Sequence, residues 1–104
     1  MEVTLNSKNF EEVVLNSEKV VLVDFWATWC NPCCALAPVV KQVAEEYPQY
    51  TIGKLNVDDE RELAISYGIS SIPTLLIFKD GEIVNRSVGV VSKDAIVSML
   101  QSAE

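Results

Sequence analysis

The apolar and polar positions divide the chain into segments with a helical period and segments that resemble buried strands. Residues 20–26, Val-Val-Leu-Val-Asp-Phe-Trp, are β-branched or aromatic except for Asp24 and one leucine. Such a run is typical of a strand covered on both faces in the middle of an α/β sheet. From Pro32 to Tyr47, apolar residues recur every three or four positions, which predicts a helix with Pro38 inside it and Pro48 at its end.

Shorter segments on either side complete the pattern. The spacing of Phe10, Val13 and Val14 predicts a helix over residues 9–15 that begins at a Ser7 or Asn9 cap. A second strand is predicted at residues 51–57, and a short helix at 60–67 that Gly68 stops.

The last third of the chain carries the clearest local signal. Two strand-like runs, residues 74–79 and 82–88, flank the pair Asp80-Gly81, which indicates a tight antiparallel hairpin. Ser92 then caps a closing helix that reaches about Gln101. The order βαβ, helix, hairpin, helix predicts an α/β fold, a central mixed sheet flanked by helices on both faces.

Composition restricts the class of protein. The 104 residues, 49% hydrophobic, suit one domain over 1–104 that folds without disulfide or metal staples. A net charge of −7 without a basic patch argues against nucleic acid and anionic membranes as partners. No apolar run is long enough to span a membrane, and no signal peptide is visible, so we expect a cytoplasmic protein. The absence of histidine excludes Ser-His-Asp and Cys-His hydrolases and His-ligated zinc sites.

The candidate chemistry is in the segment Cys30-Asn-Pro-Cys33, which follows the apolar strand and opens the long helix. Two residues between cysteines at a helix start bring the sulfurs within bonding reach. The N–H groups and dipole there stabilise a thiolate, which favours Cys30 as nucleophile and Cys33 as resolving thiol. Pro32 suits the first helical position. Half of a zinc knuckle is the alternative, but a second ligand pair is missing, so we expect no metal.

Four segments of the chain form a recognisable set: Val-Asp-Phe-Trp-Ala-Thr-Trp-Cys-Asn-Pro-Cys, Lys-Leu-Asn-Val-Asp, Ile-Pro-Thr-Leu-Leu-Ile-Phe-Lys-Asp-Gly and Val-Gly-Val-Val-Ser-Lys. In order and spacing they resemble the thioredoxin family, over essentially the whole chain. The resemblance implies a thioredoxin fold and a protein-disulfide reductase that acts as an electron carrier through a Cys30–Cys33 disulfide, without another cofactor. It also implies disulfide-containing client proteins, recycling by a thioredoxin reductase, and a monomer.

The same resemblance assigns a proton-transfer role to Asp24. A carboxyl group in an apolar strand should have a raised pKa because desolvation disfavours its charged form. Such a group could accept a proton from Cys33, with Lys54 as its partner. The alternatives for Asp24 are a buried carboxylate whose hydrogen bonds are satisfied and an edge position exposed to water. For Lys54, the alternative is a lysine that is simply exposed.

A client-binding groove is implied beside the cysteines. Family position places Trp29, Ile72, Pro73 and Gly89 there, with the Ile72–Pro73 bond cis and the backbone before it pairing with an extended client segment. On pattern alone, Pro73 is an ordinary strand opener, Trp29 a core aromatic and Gly89 a plain bend.

Two residues depart from the family motif. Asn31 stands where glycine is usual and Cys34 where lysine is usual, while Pro32 is retained. Asn31 and Pro32 lie between the redox cysteines and are expected to tune the redox potential. Cys34 points about 100° away from Cys33 around the helix. It is either an inert exposed thiol, a regulatory thiol, or a contributor to a metal centre shared between two chains.

Two other functions fit the same fold. The chain could be a binding subunit of a larger complex with incidental redox activity. It could also be a disulfide isomerase or oxidase, which the missing signal peptide and the lack of a histidine between the cysteines disfavour.

Overall fold

The computed structural model describes all 104 residues, with five strands in one mixed sheet of order β1-β3-β2-β4-β5. The strands are β1 (Glu2–Thr4), β2 (Val21–Trp26), β3 (Thr51–Asn56), β4 (Thr74–Lys79) and β5 (Glu82–Val88). The helices are a short π-helical segment (Glu11–Leu15), α1 (Asn31–Glu46), α2 (Arg61–Ser66) and α3 (Lys93–Ser102).

Strand β2 is the centre of the sheet. It pairs in parallel with β3 and antiparallel with β4, and five of its six residues are buried. This confirms that the apolar run at residues 20–26 is a strand covered on both faces. The register places Asp24 between Lys54 of β3 and Leu75 of β4.

Helices cover both faces of the sheet, as predicted. On one face, Leu22, Ile52, Leu75 and Ile77 pack against residues of α1 and α3. On the other face, the π-helical segment and α2 pack through Val14 and Ala64 on side chains of β2, β3 and β4. None of the helices combines the length and apolar composition needed to cross a membrane.

The structure departs from the sequence prediction at the N-terminal end. Strand β1 was not predicted, and it pairs in parallel with β3. The first helix is π-helical, since the Asn16 N–H donates to Glu11 O at 2.9 Å. The predicted caps are wrong: the segment has no side-chain cap, and the Asn9 side chain instead accepts from the Asn6 N–H.

The β4–β5 hairpin turns at Asp80-Gly81, as predicted. Both residues have positive φ, 53° and 80°, the conformation of a tight turn that suits right-twisted strands. A Cβ atom at Gly81 would lie 2.9 Å from the carbonyl oxygen of Leu15. The turn therefore depends on glycine for its backbone angle and for its approach to the segment before β2.

We expect Gly81→Ala to destabilise the protein more than Gly68→Ala. Both glycines have positive φ, but a Cβ at Gly68 meets nothing within 4 Å. Backbone strain alone should cost about 1 kcal/mol at Gly68, and the added clash should bring Gly81→Ala to about 2–3 kcal/mol. Urea unfolding of both variants measures the difference, and equal losses would contradict the role given to the Leu15 contact.

Candidate redox site

The two cysteines lie where the turn after β2 enters α1. Cys30 is the N-cap of this helix, and its Sγ accepts a hydrogen bond from the Cys33 N–H at 3.2 Å. Pro32 is the second helical residue, not the first as predicted, although the N–H that it lacks would still have no partner within the helix. A sulfur at this position faces unpaired N–H groups and the positive end of the helix dipole.

Cys30 and Cys33 form a disulfide, with their Cα atoms 5.2 Å apart. Cys30 is 5% exposed and Cys33 is 1% exposed. Both pack in a small apolar cluster with Ala27, against which the partly buried Trp26 and Ile72 also lie. Of the two sulfur-bearing residues, Cys30 is therefore the nearer to solvent.

The segment that leads into β4, the strand paired with β2, lies next to Cys30. The Ile72–Pro73 peptide is cis, and Ile72 O lies 3.8 Å from Cys30 Sγ. The Gly89 N–H donates to Pro73 O at 2.8 Å, which brings the end of β5 to the same place. The backbone N–H and C=O of Ile72 take part in no backbone hydrogen bond. Cys30, Ile72, Pro73 and Gly89 are thus neighbours, although 59 positions separate the first from the last.

Trp29 projects from the surface beside the disulfide. Its side chain is 67% exposed, and its indole N–H donates to Asp58 Oδ2 at 2.8 Å. Sequence reasoning did not single out Asp58. Two signals could have placed it near the turn that follows β2: its position just after β3, and its place as the last residue of the family segment Lys-Leu-Asn-Val-Asp.

Asp24 lies in the sheet face that α1 covers, and it is 1% exposed. Its Oδ2 is 3.7 Å from Lys54 Nζ, and neither carboxyl oxygen has a hydrogen-bond partner. Burial raises the pKa of Asp24 from 3.8 to about 6; Lys54 opposes this shift, and the negative charge of Glu2 adds to it.

Lys54 is held between Asp24 and an aromatic ring. Its Nζ lies 4.8 Å from the ring centroid of Trp26, within the range of a cation–π interaction. A cavity of about 510 Å³ lies beside the lysine, with Thr4, Trp26 and Asn56 among its lining residues. This polar lining leaves room for water next to the ammonium group.

Asn31 and Cys34, which depart from the family motif, and the retained Pro32 are all on the surface. Asn31 and Pro32 are exposed in the first turn of α1. Cys34 is an exposed thiol whose Sγ lies 3.8 Å from Thr28 O, on a different side of the helix from the disulfide. No group of three or more Cys, Asp or Glu side chains is arranged to bind a metal ion.

Comparison with known proteins gives consistent matches. A family model described as Thioredoxin matches residues 1–102. The chain is 49% identical over 94 residues to a thioredoxin of Chlorobaculum thiosulfatiphilum, covering 89% of this chain and 87% of that one. It is 50% identical over 92 residues to the thioredoxin of Buchnera aphidicola, covering 88% and 85%. A mutant thioredoxin from Halobacterium salinarum has a similar structure, with a TM-score of 0.90, 36% identity, and coverage of 98% of this chain and 89% of that one.

The raised pKa of Asp24 predicts how stability depends on pH. The pKa of Asp24 is about 6 in the folded protein, above the ordinary 3.8. The folded protein therefore keeps the Asp24 proton at pH values at which the unfolded chain has already released it. The contribution of Asp24 to stability therefore falls as pH rises from about 4 to about 6, and the loss amounts to about 3 kcal/mol.

Asn cannot ionise. We therefore expect the free energy of unfolding of Asp24→Asn, relative to that of the wild type, to rise by about 3 kcal/mol as the pH increases from about 3.5 to about 7.5. Urea unfolding of the oxidised proteins across this range is the measurement. Asp59→Asn, at an exposed position, is the control and should run parallel to the wild type. A pH-independent offset for Asp24→Asn would contradict the interpretation.

Proposed function

The chain belongs to the thioredoxin family and is a thiol–disulfide oxidoreductase, and we propose that Cys30 is its nucleophile and Cys33 its resolving thiol. The observation that carries this assignment is the position of Cys30 at the helix N-cap, where its sulfur accepts the Cys33 N–H. The greater exposure of Cys30 supports it, because the first attack is on a disulfide of another protein.

The exchange proceeds in two steps. The Cys30 thiolate attacks one sulfur of a client disulfide, forms a mixed disulfide, and displaces the other client sulfur as a thiolate that takes up a proton. The Cys33 thiolate then attacks Cys30 Sγ, which forms the Cys30–Cys33 disulfide and releases the second client thiolate. Two electrons pass to the client, and a thioredoxin reductase returns two electrons to restore the dithiol.

Asp24 serves the second step as proton acceptor for Cys33, with Lys54 as its partner. Asp24 lies on the sheet face against which α1 packs, and Cys33 is a buried residue of that helix. A pKa of about 6 leaves the carboxyl group mostly ionised at neutral pH, yet basic enough to take a proton. Lys54, 3.7 Å away, stabilises the ionised form.

Trp29, Ile72, Pro73 and Gly89 form the client-binding surface. The Ile72 N–H and C=O have no backbone partner, so an extended client segment can pair with them as an added strand. Cys30 and Cys33 line none of the cavities, which suits a protein client better than a small enclosed substrate.

Asn31 and Pro32 tune the balance between dithiol and disulfide, since both lie in the first turn of α1 between the sulfurs. About 30 mV corresponds to about 1.4 kcal/mol, so a modest electrostatic change there alters the potential measurably. Cys34 stands where the family usually has lysine, so this turn lacks the positive charge of that lysine.

We place the protein in the cytoplasm as a monomeric electron carrier, one thioredoxin domain over 1–104, whose redox-active disulfide is its only cofactor. Its partners are disulfide-containing client proteins and the reductase, and its acidic surface does not favour nucleic acid or membranes.

Cysteine variants test the assignment. We expect Cys30→Ser to lose all acceleration of insulin disulfide reduction with a dithiol as electron source, because no thiolate remains for the first attack. Cys33→Ser should accumulate the mixed disulfide, which mass spectrometry under non-reducing conditions detects. Cys34→Ser is the matched control, and it should keep wild-type activity because its sulfur is not part of the disulfide.

The Cys30→Ser variant also separates the proposal from its rival, when its function in the complex is measured beside its insulin reduction. A binding subunit with incidental redox activity would keep its function in a complex when Cys30 is replaced by Ser. Failure of the wild type to accelerate insulin reduction, or equal loss in Cys34→Ser, would contradict the proposal.

Asp24→Asn is expected to slow the second step. Without a proton acceptor, release of the client from the mixed disulfide at neutral pH should be about 100-fold slower. Rapid acid quenching and mass spectrometry measure the decay, with Asp59→Asn as the control that leaves it unchanged. A wild-type decay rate in Asp24→Asn would show that another group accepts the proton.

A further inference from the structure

The edge strand β1 brings a carboxyl group to the face of the sheet that carries Asp24. Glu2 pairs with Ile52, and Thr4 pairs with Lys54, which in turn pairs with Asp24. Directly paired residues project to the same face, and residues two apart in a strand share a face. Glu2, Lys54 and Asp24 therefore lie on one face, with the strand of Lys54 between those of the two acids.

Glu2 is not an ordinary surface acid. Its Oε2 is buried and has no hydrogen-bond partner, in a residue that is itself only partly exposed. An unpaired negative charge in such a position is weakly screened by solvent, so its field acts on neighbouring charged groups.

Few other charges face Asp24. On the β4 side, its neighbours on this face are Leu75 and Ile77, both buried and apolar. The buried residues of α1 (Cys33, Leu36, Val40, Val43 and Ala44) and of α3 (Ile96, Val97 and Leu100) include no charged side chain. Cys30 and Cys33 do not titrate while they are joined. The charged side chains that act on Asp24 are thus Lys54 and Glu2, of opposite sign. The Met1 ammonium donates to Ala44 O of α1, and Asp59 and Glu60 line the cavity beside Lys54.

We propose that Glu2 is a positioning residue for disulfide exchange, whose negative charge partly offsets Lys54 and so makes Asp24 a stronger proton acceptor for Cys33. This inference rests on the proposed role of Asp24. Lys54 alone favours the ionised carboxylate and weakens it as a base. Glu2 acts in the opposite sense, because a like charge disfavours ionisation.

The effect of Glu2 on the ionisation of Asp24 is measured in the oxidised protein, where Cys30 and Cys33 cannot titrate. The ¹³C resonance of the Asp24 carboxyl group, followed by NMR, should titrate at lower pH in Glu2→Gln than in the wild type. Two strand spacings across the sheet and a two-residue offset along it separate Glu2 from Asp24, about 12 Å between their Cα atoms. A unit charge at that distance should move the midpoint by about half a pH unit.

Glu12→Gln is the matched control, because it removes the same charge from the π-helical segment on the other face of the sheet. Its Asp24 midpoint should equal that of the wild type. Glu2→Leu removes the charge without introducing an amide, and it should reproduce the shift of Glu2→Gln. An unchanged or higher midpoint in the Glu2 variants, or an equal shift in Glu12→Gln, would overturn the inference.

The catalytic part is tested by the pH profile of client release from the mixed disulfide. In Glu2→Gln the profile should move to lower pH by the same half unit or so, with a slower plateau, whereas a merely structural role would leave its midpoint in place.

Asp24→Asn separates the two proposals. If it releases client at the wild-type rate at every pH, the proposed function of Asp24 is wrong. If it is slow while Glu2→Gln leaves the Asp24 midpoint unchanged, only the inference about Glu2 is wrong.

Discussion

The site depends on the burial of strand β2 in the middle of the sheet. The strand is paired along both edges and covered by helices on both faces, so its side chains have little freedom to move. This arrangement holds Asp24 in an apolar setting and fixes the direction in which the chain leaves the sheet toward Cys30. The disulfide, the helix N-cap and the raised pKa of Asp24 are therefore consequences of where one strand lies.

The surroundings of Asp24 work against stability and in favour of chemistry. A carboxyl group without hydrogen bonds, 1% exposed, is costly to ionise, and an apolar residue of similar volume would suit the packing better. Lys54, 3.7 Å away, compensates only in part, since burial still raises the pKa of Asp24 to about 6. Sites in which burial and charge shift a pKa in this way are characteristic of acid–base function.

Periodicity alone predicted β2, α1, the hairpin and α3 to within one or two residues, because each is long or has a strong terminal signal such as Asp80-Gly81 or Ser92. It missed β1, since three residues are too few for alternation to stand out. Missing β1 also hid Glu2, which looks like an ordinary exposed acid until the register places it on the same face of the sheet as Lys54 and Asp24. The contacts of Ile72 with Cys30, and of Asp58 with Trp29, depend on the path of the chain across the sheet and have no local sequence signal.

Both tryptophans of the chain are close to the redox centre: Trp26 packs against the cysteine cluster, and Trp29 immediately precedes Cys30. One is half-buried beside the ammonium of Lys54, while the other is exposed and hydrogen-bonded to a carboxylate. No indole elsewhere in the molecule contributes to the emission. The intrinsic fluorescence of this protein is therefore a local optical reporter, through which the opening and closing of one sulfur–sulfur bond can be followed without an added label.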